Sequence, residues 1–132
     1  MPTASLPRRL QQQRAGRKAA TSTTLPDAIE AQLQARAGGH CELCGRRLSR
    51  AQRRHHRWTR AQGGVDDIRN VVLVHFNCHN AIHANPQWSY SNGWLIDAPH
   101  RRFASRPLLL HAGTATERKV TLTSAGGYAT AA

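Results

Sequence analysis

The stretch HFNCHNAIHANP, residues 75–86, places His75, Cys78, His79 and His83 within nine positions. Imidazole and thiolate are the side chains that bind transition-metal ions at neutral pH. Upstream stands Cys41-x-x-Cys44, and thirty residues separate it from His75-x-x-Cys78. Two such pairs, each in a tight turn, can close a tetrahedron around zinc with three thiolates and one imidazole. A lone C-x-x-C also fits a redox pair or an accident of composition; a second pair at the same spacing favours a metal.

A second set of nitrogens lies beside the first. His79 and His83 are four residues apart on an expected helix, so both project from one face as a two-point ligand for a divalent cation. His55 and His56 can supply further nitrogens from an expected strand, and Asn70 lies across a Gly63-Gly64 loop from them. Neighbouring residues on a regular strand point to opposite faces. Both histidines can serve one centre only where the strand is bulged, strongly twisted or ending.

These groups need elements to carry them. A helix is expected to start near Pro26-Asp27 and stop at Gly38-Gly39, with Ile29 and Leu33 on one narrow apolar stripe. HHRWTR, residues 55–60, reads as a short strand and residues 61–70 as a loop. VVLV, residues 71–74, is a strand or an extended turn, and FNCHNAIHAN a short helix stopped by Pro86. A helical turn ending at Gly93 leads to a strand from Trp94, and RPLLLH and KVTLT are two further strands. The end, SAGGYATAA, reads as frayed, and Trp58, Trp88 and Trp94 as packing residues. His40, His100 and His111 read as solvent-facing.

At 132 residues the chain suits one small domain plus tail, with a thin core for which a staple matters. A structural zinc contributes on the order of 10 kcal/mol of folding free energy. Lysine and arginine together number 19 against 7 acidic residues, a formal net charge of +12, which favours a polyanionic partner. Only Lys18 and Lys119 are lysines. The guanidinium fork suits phosphate oxygens, and Arg46, Arg47, Arg50, Arg53 and Arg54 read as sequence-blind backbone contacts. Residues 1–24 carry five basic groups and no acid and read as a flexible basic tail. Three cysteines argue against a complete disulfide framework; no apolar leader or membrane span is visible, and a cytoplasmic, reducing setting is expected.

As a set, CELCG, HHRWTRAQGG and RNVVLVHFNCHNAIHANP resemble HNH endonucleases of the phage and actinobacterial type with a zinc knuckle. The tail NGWLIDAP, RPLLLH, VTLTSAGGY is similar to the extension of actinophage members. The resemblance implies an α+β, ββα-metal (His-Me finger) core stapled by structural zinc over residues 25–98, and a small β extension over 99–132. It implies His56 as general base, Asn70 as its orienting partner, and His55, His79 and His83 as ligands of a catalytic divalent ion (Mg2+, Mn2+, Ni2+ or Zn2+). Cys41, Cys44, His75 and Cys78 would hold the structural Zn2+, and Arg57 and Arg60 would clamp DNA phosphate. Family members with the knuckle usually carry cysteine where this chain has His75. The implied activity is hydrolysis of DNA phosphodiester bonds, as a nick with 5′-phosphate and 3′-hydroxyl ends, in a bacterial or phage-infected cell and linked to phage packaging proteins. A zinc-stabilised DNA-binding module without catalysis would share the charge and the knuckle, and the oligomeric state stays open.

Overall fold

The computed structural model describes residues 24–97 and 102–131. The basic tail expected at residues 1–24 and His100 therefore lie outside the described residues, save Thr24. The elements run α1 (Asp27–Ala37), β1 (Gln52–His56), a 3-10 turn (Arg60–Gln62), β2 (Val71–His75), α2 (Phe76–Ala84), α3 (Pro86–Ser91), β3 (Leu108–Leu110), β4 (Arg118–Leu122) and β5 (Tyr128–Thr130). The result is a small mixed α+β fold. Among the described residues no helix is long and apolar enough to cross a membrane.

The centre of the fold is β2. Its residues Val71 to Val74 are all fully buried. Side chains alternate along a strand, so Val72 and Val74 enter one cluster and Val71 and Leu73 another. The first cluster joins Cys41, Leu43, Ile82, Trp94, Leu108, Leu110, Val120 and Leu122; the second joins Leu25, Leu33, Ala37 and Ile68. Burial on both faces explains a continuous apolar run with no polar alternation. α1 therefore packs on one side of β2, and α2 with the C-terminal strands on the other.

β1 pairs antiparallel with β2 in unbroken register from Gln52↔His75 to His56↔Val71. The strand spans 52–56, so it begins three residues before the expected 55–60 and ends at His56. Residues 57–58 bend away, and a capping box closes the 3-10 turn at Thr59 and Gln62. Gly64 is needed here, since a Cβ on it would stand 1.7 Å from the Trp58 carbonyl oxygen.

Three further expectations give way. No strand follows Gly93: Trp94 and Leu95 form a bend, and a Cβ on Gly93 would meet the Pro107 carbonyl oxygen at 1.9 Å. The chain end is not frayed, because Tyr128–Thr130 completes a β3-β4-β5 sheet. Arg57 does not clamp phosphate. It is fully buried, and its guanidinium donates to the carbonyls of Gly93 (2.7 Å), Arg69 (3.1 Å), Phe103 (3.2 Å), Arg106 (2.6 Å) and Pro107 (3.5 Å). Burial, followed by the charges of Arg36 and Arg106, brings its pKa down to about 9. This arginine ties three separate segments together.

A second buried cation braces the other side. Arg36 on α1 meets the fully buried Glu42 bidentately, at 2.8 and 3.0 Å, and also donates to the carbonyls of Ile68 and Val71. Glu42 accepts in addition from the Leu73 amide at 2.8 Å and from the Tyr128 hydroxyl at 2.5 Å. One carboxylate thus joins α1, β2 and β5. Glu42→Ala strands the Arg36 charge, and urea unfolding is expected to show a loss of about 3–5 kcal/mol. Tyr128→Phe removes one hydrogen bond to a charged acceptor and is expected to lose about 1.5–3 kcal/mol; wild-type stability in both variants would refute the bracing role.

Candidate metal centres

The turn carrying Cys41 and Cys44 is built by its own backbone. The Cys41 amide donates to the Arg46 carbonyl and the Gly45 amide to the Cys41 carbonyl, each at 2.8 Å, with Gly45 left-handed at φ 76°. The loop after β3 straps this turn: the amides of His111 and Ala112 donate to the carbonyls of Glu42 and Leu43. Opposite, β2 runs directly into α2, which brings His75 and Cys78 beside the turn. The donor atoms of Cys41, Cys44, His75 and Cys78 lie within 4.8 Å of one another.

The closer spacings fit zinc. His75 Nδ1 is 3.4 Å from Cys44 Sγ and 3.7 Å from Cys78 Sγ. A tetrahedron with arms of about 2.0 Å to nitrogen and about 2.3 Å to sulfur has N···S edges of about 3.5 Å. The tautomer also fits. His75 Nε2 lies 3.0 Å from the Arg47 carbonyl, which can only accept, so Nε2 carries the proton and Nδ1 keeps its lone pair toward the sulfurs. Burial opposes a thiolate at Cys41, yet hydrogen bonds from Cys44 and Cys78 outweigh it and lower its pKa. Cys78, bonded to those sulfurs and buried, is pushed up. Crowded thiols sharing protons in this way are the ligands a dication deprotonates.

The second cluster uses the same device. His55 is buried, and its Nε2 donates to the Trp94 carbonyl at 2.6 Å. Nδ1 therefore holds a lone pair, and it is buried with no hydrogen-bond partner. Around it stand His79 and His83, with ring centroids 5.2 and 5.3 Å from His55 and 4.7 Å from each other. The three donor atoms again fall within 4.8 Å. An orphaned buried nitrogen facing two imidazoles is unfavourable without a cation and suits one well.

Charge repulsion and burial keep these rings neutral. Burial first, then positive charge on His79 and His83, holds the His55 pKa well below its ordinary value, against the pull of the Trp94 carbonyl. Burial, then His83 and Arg53, brings His79 down to about 4. Burial also lowers His83.

β1 is regular, so His55 and His56 go to opposite faces. His55 faces α2. His56, the last strand residue, is buried on the other side, its Nε2 donating to Asp66 Oδ1 at 2.8 Å. Its charge still weighs on His55 and His79. Asp66 also accepts from Arg60, whose side chain is half exposed. Burial works against the Asp66 carboxylate, but the bond from His56 and the charge of Arg60 outweigh it and lower its pKa.

Asn70 does not hold the His56 ring as expected. Its fully buried amide accepts from the Trp58 amide at 2.8 Å and donates to the carbonyls of Trp58 and Val65 at 3.1 and 3.0 Å. It fixes both ends of the loop between His56 and Asp66, and Asp66 bonds the ring. Sequence reading missed Asp66, although an acid just past Gly63-Gly64 in so acid-poor a chain was a usable signal. The carbonyls of Trp94 and Arg47 had no such signal, since backbone acceptors are invisible in residue types.

Two measurements check the centres. Metal analysis after mild chelation is expected to find one zinc per chain, lost together with cooperative unfolding in Cys44→Ser; zinc-free, fully folded protein would refute the staple. In the unfolded chain histidines take up protons near pH 6.5, whereas folded His79 resists down to about 4. The unfolded state binds more protons across that window, so stability falls as pH drops through it. Tm of zinc-loaded protein without other divalent ions is expected to decline from pH 6.5 to 4, less steeply in His79→Ala. A Tm flat across that window would mean the rings are open to water.

Comparison with the curated proteins and with the solved structures returned no match. The family model described as HNH endonuclease matches residues 41–85. That span runs from the first knuckle cysteine through the β1-β2-α2 unit to the end of the helix bearing His79 and His83. Both donor clusters and the strand pair between them fall inside the segment, residues 41–85, that matches the HNH endonuclease model.

Proposed function

We propose that the chain is a metal-dependent DNA endonuclease that hydrolyses one phosphodiester bond per visit and leaves 5′-phosphate and 3′-hydroxyl ends. The observation that carries this reading is the convergence of His55, His79 and His83 on one centre, with His56 where β1 ends, near enough for its charge to act on His55 and His79. HNH domains are in general nucleases that bind DNA and use divalent metals, and a net charge of +12 suits the phosphate backbone. Three cysteines gathered in one cluster suit a reducing setting, the cytoplasm of a bacterial or phage-infected cell. Phage packaging proteins are the partners that the sequence resemblance implies.

His55 Nδ1, His79 and His83 would hold the ion, which when bound neutralises charge on the scissile phosphate and the leaving 3′ oxygen. His56 acts as general base. Asp66 accepts its Nε2 proton, so Nδ1 is the basic nitrogen and takes the proton of the attacking water. Asp66 keeps the ring from turning and stabilises the imidazolium that forms. Asn70 holds the loop that carries Asp66, acting through the backbone of Trp58 and Val65. Arg60, half exposed and anchored on Asp66, stands at the rim to meet phosphate.

Supercoiled plasmid incubated with Mg2+, Mn2+, Ni2+ or Zn2+ tests the reading. The expected product is nicked circle in at least one metal, with the rate reduced by about 10²–10⁴ in His56→Ala. Asp66→Asn is expected to fall between the two. Wild-type activity in His56→Ala would place the base elsewhere. DNA binding with no cleavage in any metal would assign the chain to non-catalytic, zinc-stabilised DNA binding.

A further inference from the structure

The arginines around the histidine centre differ in what balances their charge. Arg54 donates to both oxygens of Glu30, at 2.9 and 2.7 Å. Arg36 pairs with Glu42, Arg60 with Asp66 and Arg69 with Asp67. Arg57 is saturated by carbonyls. Arg53 is the exception: no carboxylate among the described residues pairs with it. Its guanidinium lies 4.4 Å from the centroid of the Phe76 ring, and Nη1 donates to the Gln52 carbonyl at 3.3 Å. A guanidinium has five N–H donors in a fixed plane, so most of this fork is unused.

Its position follows from two periodicities. Arg53 and His55 are two residues apart in β1 and share the face toward α2, separated by about 6.6 Å of strand. Phe76, His79 and His83 follow i, i+3, i+7 along one side of α2. The Arg53–Phe76 pair is therefore the next layer beside the His55–His79–His83 layer. Its charge is felt at His79.

We propose that Arg53, held over the Phe76 ring, is a substrate-binding residue that grips the phosphate of the scissile strand adjoining the one at the histidine cluster. The ring contact and the bond to the Gln52 carbonyl hold the guanidinium in place before DNA arrives, so the fork loses little freedom on engaging two phosphate oxygens. A partly buried cation without an anion contributes little to the fold and is complementary to a dianionic stretch of backbone. The residues sort accordingly: Arg54, one position on, faces α1 and is neutralised there, while Arg53 faces the chemistry. This assignment rests on the endonuclease reading above.

The test combines nicking kinetics, DNA affinity against salt concentration, and Tm, on the zinc-loaded full chain. Arg53→Gln is expected to raise KM about tenfold and reduce the salt slope of binding by about 1, with Tm unchanged. Arg53→Lys is expected to recover the slope but only part of KM, and Phe76→Leu to raise KM by less than Arg53→Gln. Arg54→Gln, whose charge Glu30 already balances, is expected to keep the wild-type slope. Wild-type KM and slope in Arg53→Gln, with plasmid still nicked, would overturn the assignment and leave the endonuclease standing. A large fall in Tm with unchanged slope would assign Arg53 to the fold instead. A wild-type chain that neither binds nor nicks DNA would overturn both readings.

Discussion

Cys78 and His79 are neighbours in the chain and serve different donor clusters. The angle at which α2 leaves β2 must therefore satisfy two sets of donors at once. His75, the last residue of β2, is itself a member of the first cluster, so there is no slack between strand and helix. A cation at Cys41, Cys44, His75 and Cys78 would clamp the first turn of α2. The rest of that helix then carries His79 and His83 to His55 without any loop in between. Precision at the second cluster is inherited from the first.

The two clusters also share a way of choosing which nitrogen to offer. In each, a ring bonded to a backbone carbonyl through Nε2 presents Nδ1, with Arg47 serving His75 and Trp94 serving His55. The carbonyl of a peptide cannot titrate, so the tautomer is set by chain geometry and does not drift with pH. The Trp94 carbonyl is placed in turn by the tight passage at Gly93 and by Arg57, which gathers the Gly93 carbonyl with those of residues 103–107. Distant backbone thus reaches the donor set through hydrogen bonds alone.

What could be read from residue order and what could not divide along physical lines. Cysteine and histidine spacing marked the first donor set and the His79–His83 pair, because ligation depends on residue type and local separation, while His55 joined them as a ligand only through the family resemblance. α1 and α2 were visible through capping residues and an apolar or histidine period, while the apolar run of β2 fitted a strand or an extended turn equally. β3 and β4 were legible in RPLLLH and KVTLT, whereas the three-residue β5 carries no period to detect and, at the chain end, passed for a frayed terminus. Arg57 looked like a phosphate ligand because an arginine saturated by carbonyls is indistinguishable, by composition, from one facing solvent. Glu42, between two knuckle cysteines, gave no hint that it would meet Arg36 and Tyr128, partners 6 and 86 residues away. His55 and His56 posed a true conflict of strand geometry. The fold resolves it by sending them to opposite faces, with Asp66 as the partner of the second.

The bonds of Glu42 and Arg57 bear on how this domain can be moved between proteins. Leu108, Leu110, Val120 and Leu122 share one apolar cluster with Val72, Val74 and Ile82. The segment that matches the family, 41–85, is therefore smaller than the unit that folds. Grafted alone onto another chain, it would expose one face of β2 and leave Glu42 without Arg36 and Tyr128. A transplant that keeps its shape has to run from α1 through β5.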